Sequence, residues 1–290
     1  MHAFFFGLGF SSQAALAALR NGSHTVSISG SVRSADKAEM LTRSGVDAHV
    51  FDGTAPGATL GASLRDASHV ILSIAPGPDG DPALLHHRAD LDAATNLQWL
   101  CYYSTVGVYG DFGGTWIDES APLVPRNERS DRRVLAEQTW RDYAAGRGVP
   151  LTILRLAGIY GPGRSTLDKL REGTSRRVVK PGQVFNRIHV DDIGRVTALA
   201  AAARLDGTFN LGDDEPAPPQ DVIAHAAAML GIEPPPEIPY ETAELTPMQR
   251  SFYADNKRVS NAAIKRALGI ELLYPTYREG LASIFDKEQA

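Results

Sequence analysis

The 290-residue chain has little with which to cross-link itself: its single cysteine, Cys101, excludes an internal disulfide and points to a reducing compartment. It lacks any uninterrupted apolar run near the ~20 residues a spanning helix needs, so no membrane partner is expected. Its opening, MHAFFFGLGF, is apolar but without the basic flank and small-residue cleavage site of a signal peptide. Basic excess is also missing: 29 Lys and Arg stand against 34 Asp and Glu, net −5, which excludes the electrostatic footprint of a nucleic-acid binder. No Cys/His cluster has metal-ligand spacing, so no metal is expected, and no G-x-S-x-G elbow marks a hydrolase. There is no internal repeat and no long low-complexity segment. These absences leave a cytoplasmic globular protein whose partner is a small molecule.

What is present is enough apolar residue, 43%, to bury a full core in a chain of this length. Short apolar runs alternate with amphipathic stretches through the first half. Ala3–Phe6, Thr25–Ile28, Val50–Phe51, Val70–Ile74, Leu100–Tyr103 and Leu151–Leu154 read as strands. SSQAALAALRNG and SADKAEMLTRSG between the first of them read as helices, the second with Ser34 as N-cap and Asp36 in its first turn. Such alternation implies a parallel sheet covered on both faces. After Gly161 the pattern becomes irregular: a loop and helix in GPGRSTLDKLREG, an extended piece at Arg187–Val190, and a helix in DDIGRVTALAAAARL with Asp191 and Asp192 as caps. GTFNLGDDEPAPPQ then reads as strand and linker, DVIAHAAAMLG as a helix, IEPPPEIPY as a stiff connection, and the last ~40 residues as mostly helical. The expected fold is α/β, a Rossmann-type doubly wound parallel sheet with a smaller mixed C-terminal substrate lobe. The expected dinucleotide-binding domain is residues 1–160 plus 185–212, and the lobe is 161–184 plus 213–290.

The segment Gly7-Leu8-Gly9-Phe10-Ser11-Ser12 follows a strand and opens a helix, the context a G-x-G-x-x-G fingerprint requires. Gly7 makes the tight turn, Gly9 admits a pyrophosphate, and Ser12 stands where the third glycine would be. NAD-preferring sites place a carboxylate at the end of the second strand. Here the stretch is Ser29-Gly30-Ser31-Val32-Arg33, with no acid, so NADP(H) is favoured over NAD(H), with Arg33 and the small hydroxyls suited to a 2′-phosphate. Asp52-Gly53 reads either as an adenine contact or as a simple Asp-Gly turn.

Further markers follow in order: SIAPGP, YSTVGVYG, ESAPLVP, LAEQ, RLAGIYGPGR and RIHVDDIG. Together with the glycine turn they resemble the extended short-chain dehydrogenase/reductases, the NAD-dependent epimerase/dehydratase group, in an atypical YeeZ-like branch. The resemblance runs over essentially the whole chain. It implies that Ala75 and Pro76 line the cofactor and that Ala157, Gly158 and Ile159 pass the nicotinamide. It makes Thr105 the hydroxyl that holds a substrate oxygen, with Ser104 as the fallback, and puts Arg164, Arg187 and His189 beside the substrate. Plainer roles stand next to these: Ser104 and Thr105 as strand-end residues, Tyr109 as a packed aromatic, His189 with Asp191 as a structural pair, Arg164 as loop surface.

The family's chemistry needs a tyrosine and, four residues on, a lysine, with a glutamate four further. Glu137 of LAEQ is that glutamate, and counting back puts Arg133 at the lysine position and Arg129 at the tyrosine position. No tyrosine occurs between Tyr109 and Tyr143, so a slip of register does not restore the pair. A guanidinium, with a pKa above ~12, cannot trade protons at neutral pH, though it can clamp an anion. Three readings remain: an NAD(P)-dependent oxidoreductase with a relocated proton donor (Tyr109, His189 or a water on Thr105), a non-catalytic NADP(H) sensor, or a relic with neither ligand. Both a monomer and a homodimer are compatible with the sequence.

Overall fold

The computed structural model describes residues 1–22 and 25–289; residue 290, the end of the expected lobe, lies outside them. The chain runs β1 (His2–Phe6), α1 (Phe10–Arg20), β2 (Ser27–Val32), α2 (Ala35–Arg43), β3 (Asp47–Val50), α3 (Gly61–Arg65), β4 (His69–Leu72), α4 (Pro82–Asp92) and β5 (Trp99–Thr105). A 3-10 turn at Val106–Tyr109, β6 (Trp116–Ile117), α5 (Glu128–Arg147), β7 (Leu151–Leu156), β8 (Gly158–Tyr160) and α6 (Thr166–Arg171) follow. Next are β9 (Arg177–Val179), β10 (Arg187–His189), α7 (Val190–Ala203), β11 (Gly207–Leu211) and α8 (Pro219–Met229). The remainder is β12 (Glu237–Pro239), α9 (Pro247–Phe252), β13 (Arg258–Val259), α10 (Ala262–Leu268) and α11 (Tyr277–Gln289).

The chain forms two compact units. The first is Met1–Thr105, Glu128–Arg155 and Ile193–Phe209; the second is Val106–Asn127, Leu156–Asp192 and Asn210–Ala290. Residues 106–127, 156–160, 185–192 and 210–212, grouped with the N-terminal domain in the sequence reading, therefore cluster with the second unit.

The central sheet has seven strands in the order β11-β7-β5-β4-β1-β2-β3. β1 pairs in parallel with β2 and β4, β2 with β3, and β4 with β5. The order reverses between β1 and β4, and in such sheets ligands bind at the carboxyl ends of the strands flanking that reversal. Phe4, Phe6, Leu72, Leu100 and Tyr102 of the strands pack with Leu84 and Leu91 of α4 and with Ala136, Trp140 and Tyr143 of α5. Each large side chain buried this way contributes roughly 1.5–3 kcal/mol.

The second strand differs from expectation. It is Ser27–Val32 rather than Thr25–Ile28, because pairing with β1 sets its register at His2↔Ser27. Ser29, Gly30 and Ser31 are thus inside the sheet. Gly30 is required there, since a Cβ would lie 2.6 Å from the carbonyl oxygen of Phe5. Gly194 of the RIHVDDIG stretch has a similar role: a Cβ would lie 2.5 Å from the Ala14 carbonyl oxygen, so only glycine lets α7 lie on α1. Ser34 occupies the N-cap of α2 as expected, without a side-chain cap bond.

In the second unit, three two-stranded pairs, β10-β8, β12-β9 and β13-β6, are all parallel. The proline-rich stretch read as a plain connection supplies β12. Tyr160, Leu167, Val222, Ala226, Tyr277 and Leu281 form this unit's main apolar cluster. Asp191 and Asp192, expected as caps, lie inside the first turn of α7, which begins at Val190; Asp192 accepts backbone N–H bonds from Leu273 (2.7 Å) and Tyr274 (3.0 Å) and ties down the C-terminal segment. No helix among the described residues is long and apolar enough to cross a membrane.

Candidate functional site

The glycine turn is assembled from three strand ends. Gly7 has φ +92°, and a Cβ on it would lie 2.9 Å from both Ile74 Cγ2 and Ser73 Oγ, so no other residue fits. Its N–H donates to Ser31 Oγ at 3.0 Å, and Leu8 N–H donates to the Ser31 carbonyl at 2.8 Å. Ser73 Oγ donates to the carbonyl groups of Phe6 (3.0 Å) and Gly7 (2.6 Å), and Ser12 Oγ donates to Ser73 Oγ at 2.9 Å. Ser12 therefore replaces the fingerprint's third glycine as a buried member of a hydroxyl chain. Ser29 and Ser31, expected as hydroxyls for a 2′-phosphate, are instead fully buried and bonded to His2 and Gly7, and Ser73 was not singled out; the partners of Ser31 and Ser73 are 24 and 61 to 67 residues away, beyond any local pattern.

Gly9 differs from Gly7. It is the N-cap of α1 with φ −85° and no side-chain cap, and a Cβ there would meet nothing within 4 Å. The protein's own packing leaves this approach clear, in front of a helix N-terminus whose dipole favours anions. The residues present thus fit a dinucleotide's phosphates. Ala75 and Pro76 follow β4 with their surfaces accessible, and Arg33 is exposed just past β2. Asp52 accepts from Thr54 N–H (2.9 Å) and Thr54 Oγ1 (2.7 Å), which hold its carboxyl below the usual range. Those bonds make Asp52-Gly53 a closed Asp-Gly turn, the plainer of its two readings.

α5 lies on β5 through a buried ionic cluster. Glu137 has no solvent exposure, and Arg155 on β7 grips it in a two-pronged contact, Nη2 to Oε2 at 2.8 Å and Nε to Oε1 at 3.1 Å. Ser104 Oγ donates to the same carboxylate at 2.5 Å and Arg141 Nη2 at 3.0 Å. Burial pushes the Glu137 carboxyl up, but the Arg155 bonds and charge, the Ser104 hydroxyl and Arg141 outweigh it and hold it below its ordinary value. Ser104 is thereby committed to the cluster and 4% exposed, whereas Thr105 beside it is partly exposed. Arg155 was missed in the sequence, its only signal being a charge within the strand LTILRL.

Arg133, one turn before Glu137, turns its Nη1 to the Tyr103 carbonyl (2.5 Å) and the Tyr102 hydroxyl (3.2 Å), its guanidinium 5.6 Å from the centre of the Tyr102 ring. Arg129, a further turn back, is exposed. The helix therefore carries both arginines and Glu137 at the spacing counted from the sequence.

In the second unit Tyr109 is fully buried and donates to Asn210 Oδ1 at 2.7 Å, while Asn210 N–H donates to Glu119 Oε1 at 2.7 Å. His189 is also fully buried, with Tyr160 and Tyr274 rings at 5.2 and 4.1 Å. Its Nδ1 accepts from Asp191 N–H at 3.1 Å, and burial, opposed by Asp191, brings its pKa down to about 4. Both residues have the geometry of the structural roles set beside their catalytic ones. Arg164 is exposed after the Gly163 turn. Arg187, half-buried on β10, is paired in register with Gly158 of β8, and its Nη1 donates to the carbonyl oxygens of Phe185 (2.9 Å) and Ala217 (3.0 Å). No group of three or more His, Cys, Asp or Glu among the described residues could hold a metal ion.

The seven-stranded sheet and the glycine turn define an α/β protein of the Rossmann class. Residues 85–212 match the NAD dependent epimerase/dehydratase family. The chain is 27% identical over 261 residues to protein YeeZ of Escherichia coli (strain K12), covering 86% of this chain and 88% of that one. It is 29% identical over 143 residues to a 3-diazoavenalumate denitrifying reductase of a Streptomyces species, covering 44% of this chain and 45% of that one. Among solved structures, a functionally unknown conserved protein from Silicibacter pomeroyi superposes with a TM-score of 0.87 at 41% identity, covering 100% of this chain and 99% of that one. The chain is thus similar to the NAD-dependent epimerase/dehydratase family, through a family match over residues 85–212 and a relative aligned over most of its length.

Proposed function

We propose that this protein is an NAD(P)-dependent oxidoreductase of epimerase/dehydratase type that acts on a small anionic carbonyl or hydroxyl compound without the family's tyrosine–lysine pair. The observation that carries the reading is the phosphate turn, held rigid by Ser12, Ser31 and Ser73 yet clear of protein at Gly9. A bound nicotinamide cofactor supplies or takes up the hydride. Gly7, Gly9, Phe10, Ser11 and Ser12 would hold its pyrophosphate, and Ala75 and Pro76 would line it. The exposed Arg33 and the acid-free run Ser29–Val32 favour NADP(H).

Thr105 orients the substrate oxygen, Arg129 clamps an anionic group, and Arg133 takes the lysine's place as a donor without its acid/base role. With Tyr109 and His189 withdrawn into bonded, buried positions, a water held by Thr105 is the favoured proton source. The Streptomyces relative is named as a reductase of an anion, which supports hydride chemistry on an anionic substrate.

The burial of Tyr109 and His189 also favours a second reading, a non-catalytic NADP(H) sensor. Titration calorimetry with NADPH and NADH in parallel is the first test; binding of neither would remove both readings. Oxidation of NADPH by any member of a panel of carboxylate-bearing carbonyl compounds would then select the enzyme, and none would select the sensor.

A further inference from the structure

Buried cations in this protein generally have an acid beside them. Arg155 sits on Glu137, and Lys257 lies 3.7 Å from Asp255 while donating to the Gly110 carbonyl at 2.6 Å. Arg187 departs from that pattern. Its two bonds go to neutral carbonyl groups, and no carboxylate among the described residues comes within ion-pair distance. Its Nε and Nη2 edge has no protein acceptor among the described residues.

The acid that shares its surroundings is Asp213, whose N–H donates to the Arg187 carbonyl at 2.6 Å. Asp213 is 1% exposed, and neither carboxylate oxygen has a hydrogen-bond partner among the described residues, the nearby Glu215 N–H acting only to favour the ionised carboxyl. A buried carboxyl without a partner and a half-buried guanidinium, close enough to feel each other yet with no bond between their side chains, are two groups awaiting a third. They border the nicotinamide-side segment: Arg187 pairs with Gly158, and a Cβ on Gly212 would lie 3.5 Å from Ala157 Cβ and 3.6 Å from the Arg187 carbonyl oxygen.

We propose that Arg187 and Asp213 form an anion site whose ligand is the carboxylate of a small substrate. The inference rests on the reading of the second unit as the substrate side, and it names the substrate class. The open guanidinium edge offers two parallel N–H donors, the match for a planar carboxylate. Asp213 supplies an O–H donor when protonated, and burial, opposed by the Arg187 charge, raises its pKa to about 8 with Tyr160, Asp214 and Glu215 as the other charged or titratable neighbours. One guanidinium and one neutral acid balance a single negative charge, whereas a phosphate dianion would remain over-charged in a buried place. Above pH 8 the ionised Asp213 competes for Arg187, so carboxylate affinity falls.

The test uses the full chain and sodium acetate, with ionic strength matched by chloride, read by titration calorimetry and thermal shift. Acetate is expected to bind at pH 7, at least tenfold more weakly in Arg187→Gln and several-fold more weakly in Arg187→Lys, which keeps the charge but not the two-pronged edge. Asp213→Asn, still a donor, is expected to bind acetate but to lose the weakening above pH 8. No acetate binding by the parent, an unchanged affinity in Arg187→Lys, or tighter binding of inorganic phosphate than of acetate would overturn the site. NADPH titrations on the same samples separate the two claims. Cofactor binding without acetate binding removes only this site, and acetate binding without cofactor binding removes only the oxidoreductase reading.

Discussion

At Glu137 a carboxylate without solvent contact is held by two guanidinium groups and a serine hydroxyl, so its removal takes the carboxylate away from the buried Arg155. Glu137→Gln is expected to cost about 3–5 kcal/mol in urea denaturation. Because its folded pKa lies below its unfolded one, this stability is present above the ordinary carboxylate range and lost as pH falls through the folded value. Asp213 has the opposite sign. Its raised pKa means stability complete below the unfolded value and lost as pH rises through about 8, so Asp213→Asn should unfold later than the parent at pH 9 and no later in acid. Tyr109→Phe leaves Asn210 Oδ1 without its donor, at roughly 1–3 kcal/mol, while any turnover should persist; loss of turnover with the fold intact would restore Tyr109 as the proton donor. Of these residues only Glu137 and Tyr109 stood out in the sequence. Arg155 is invisible there as Glu137's partner, because a contact spanning 18 residues depends on how α5 lies on the sheet.

Among the elements, the strand–turn–helix of β1 and α1 was legible because its rule is local: an apolar run, glycines, then a helical period. What the two glycines do is not local. Gly7→Ala, with positive φ and two contacts at 2.9 Å, should destabilise by about 1–3 kcal/mol. Gly9→Ala meets no atom of the protein, so stability should change by less than ~0.5 kcal/mol while NADPH affinity falls at least tenfold by calorimetry. Equal affinities would mean that no ligand approaches Gly9. β2 was displaced in the sequence reading because Ser-Gly-Ser is poor in strand formers, and only pairing with β1 keeps those residues extended.

On the scale of the whole molecule, saturating NADPH should raise Tm. At a hundredfold excess over Kd, linkage supplies about 2.7 kcal/mol, or roughly 5–10 °C for a chain of this size, with NADH giving a smaller shift. No shift with either would contradict the cofactor reading. The sequence by itself determined the α/β alternation, the glycine turn between β1 and α1, the likeness to the epimerase/dehydratases, and the spacing of Arg129, Arg133 and Glu137 on one helix, because each is a spacing along one chain. Only the tertiary structure decided which polar groups are used up and which are left over. Burial and partners from distant elements commit Ser104 to Glu137 and Tyr109 to Asn210, while Arg187 and Asp213, joined through their backbones, share no side-chain bond.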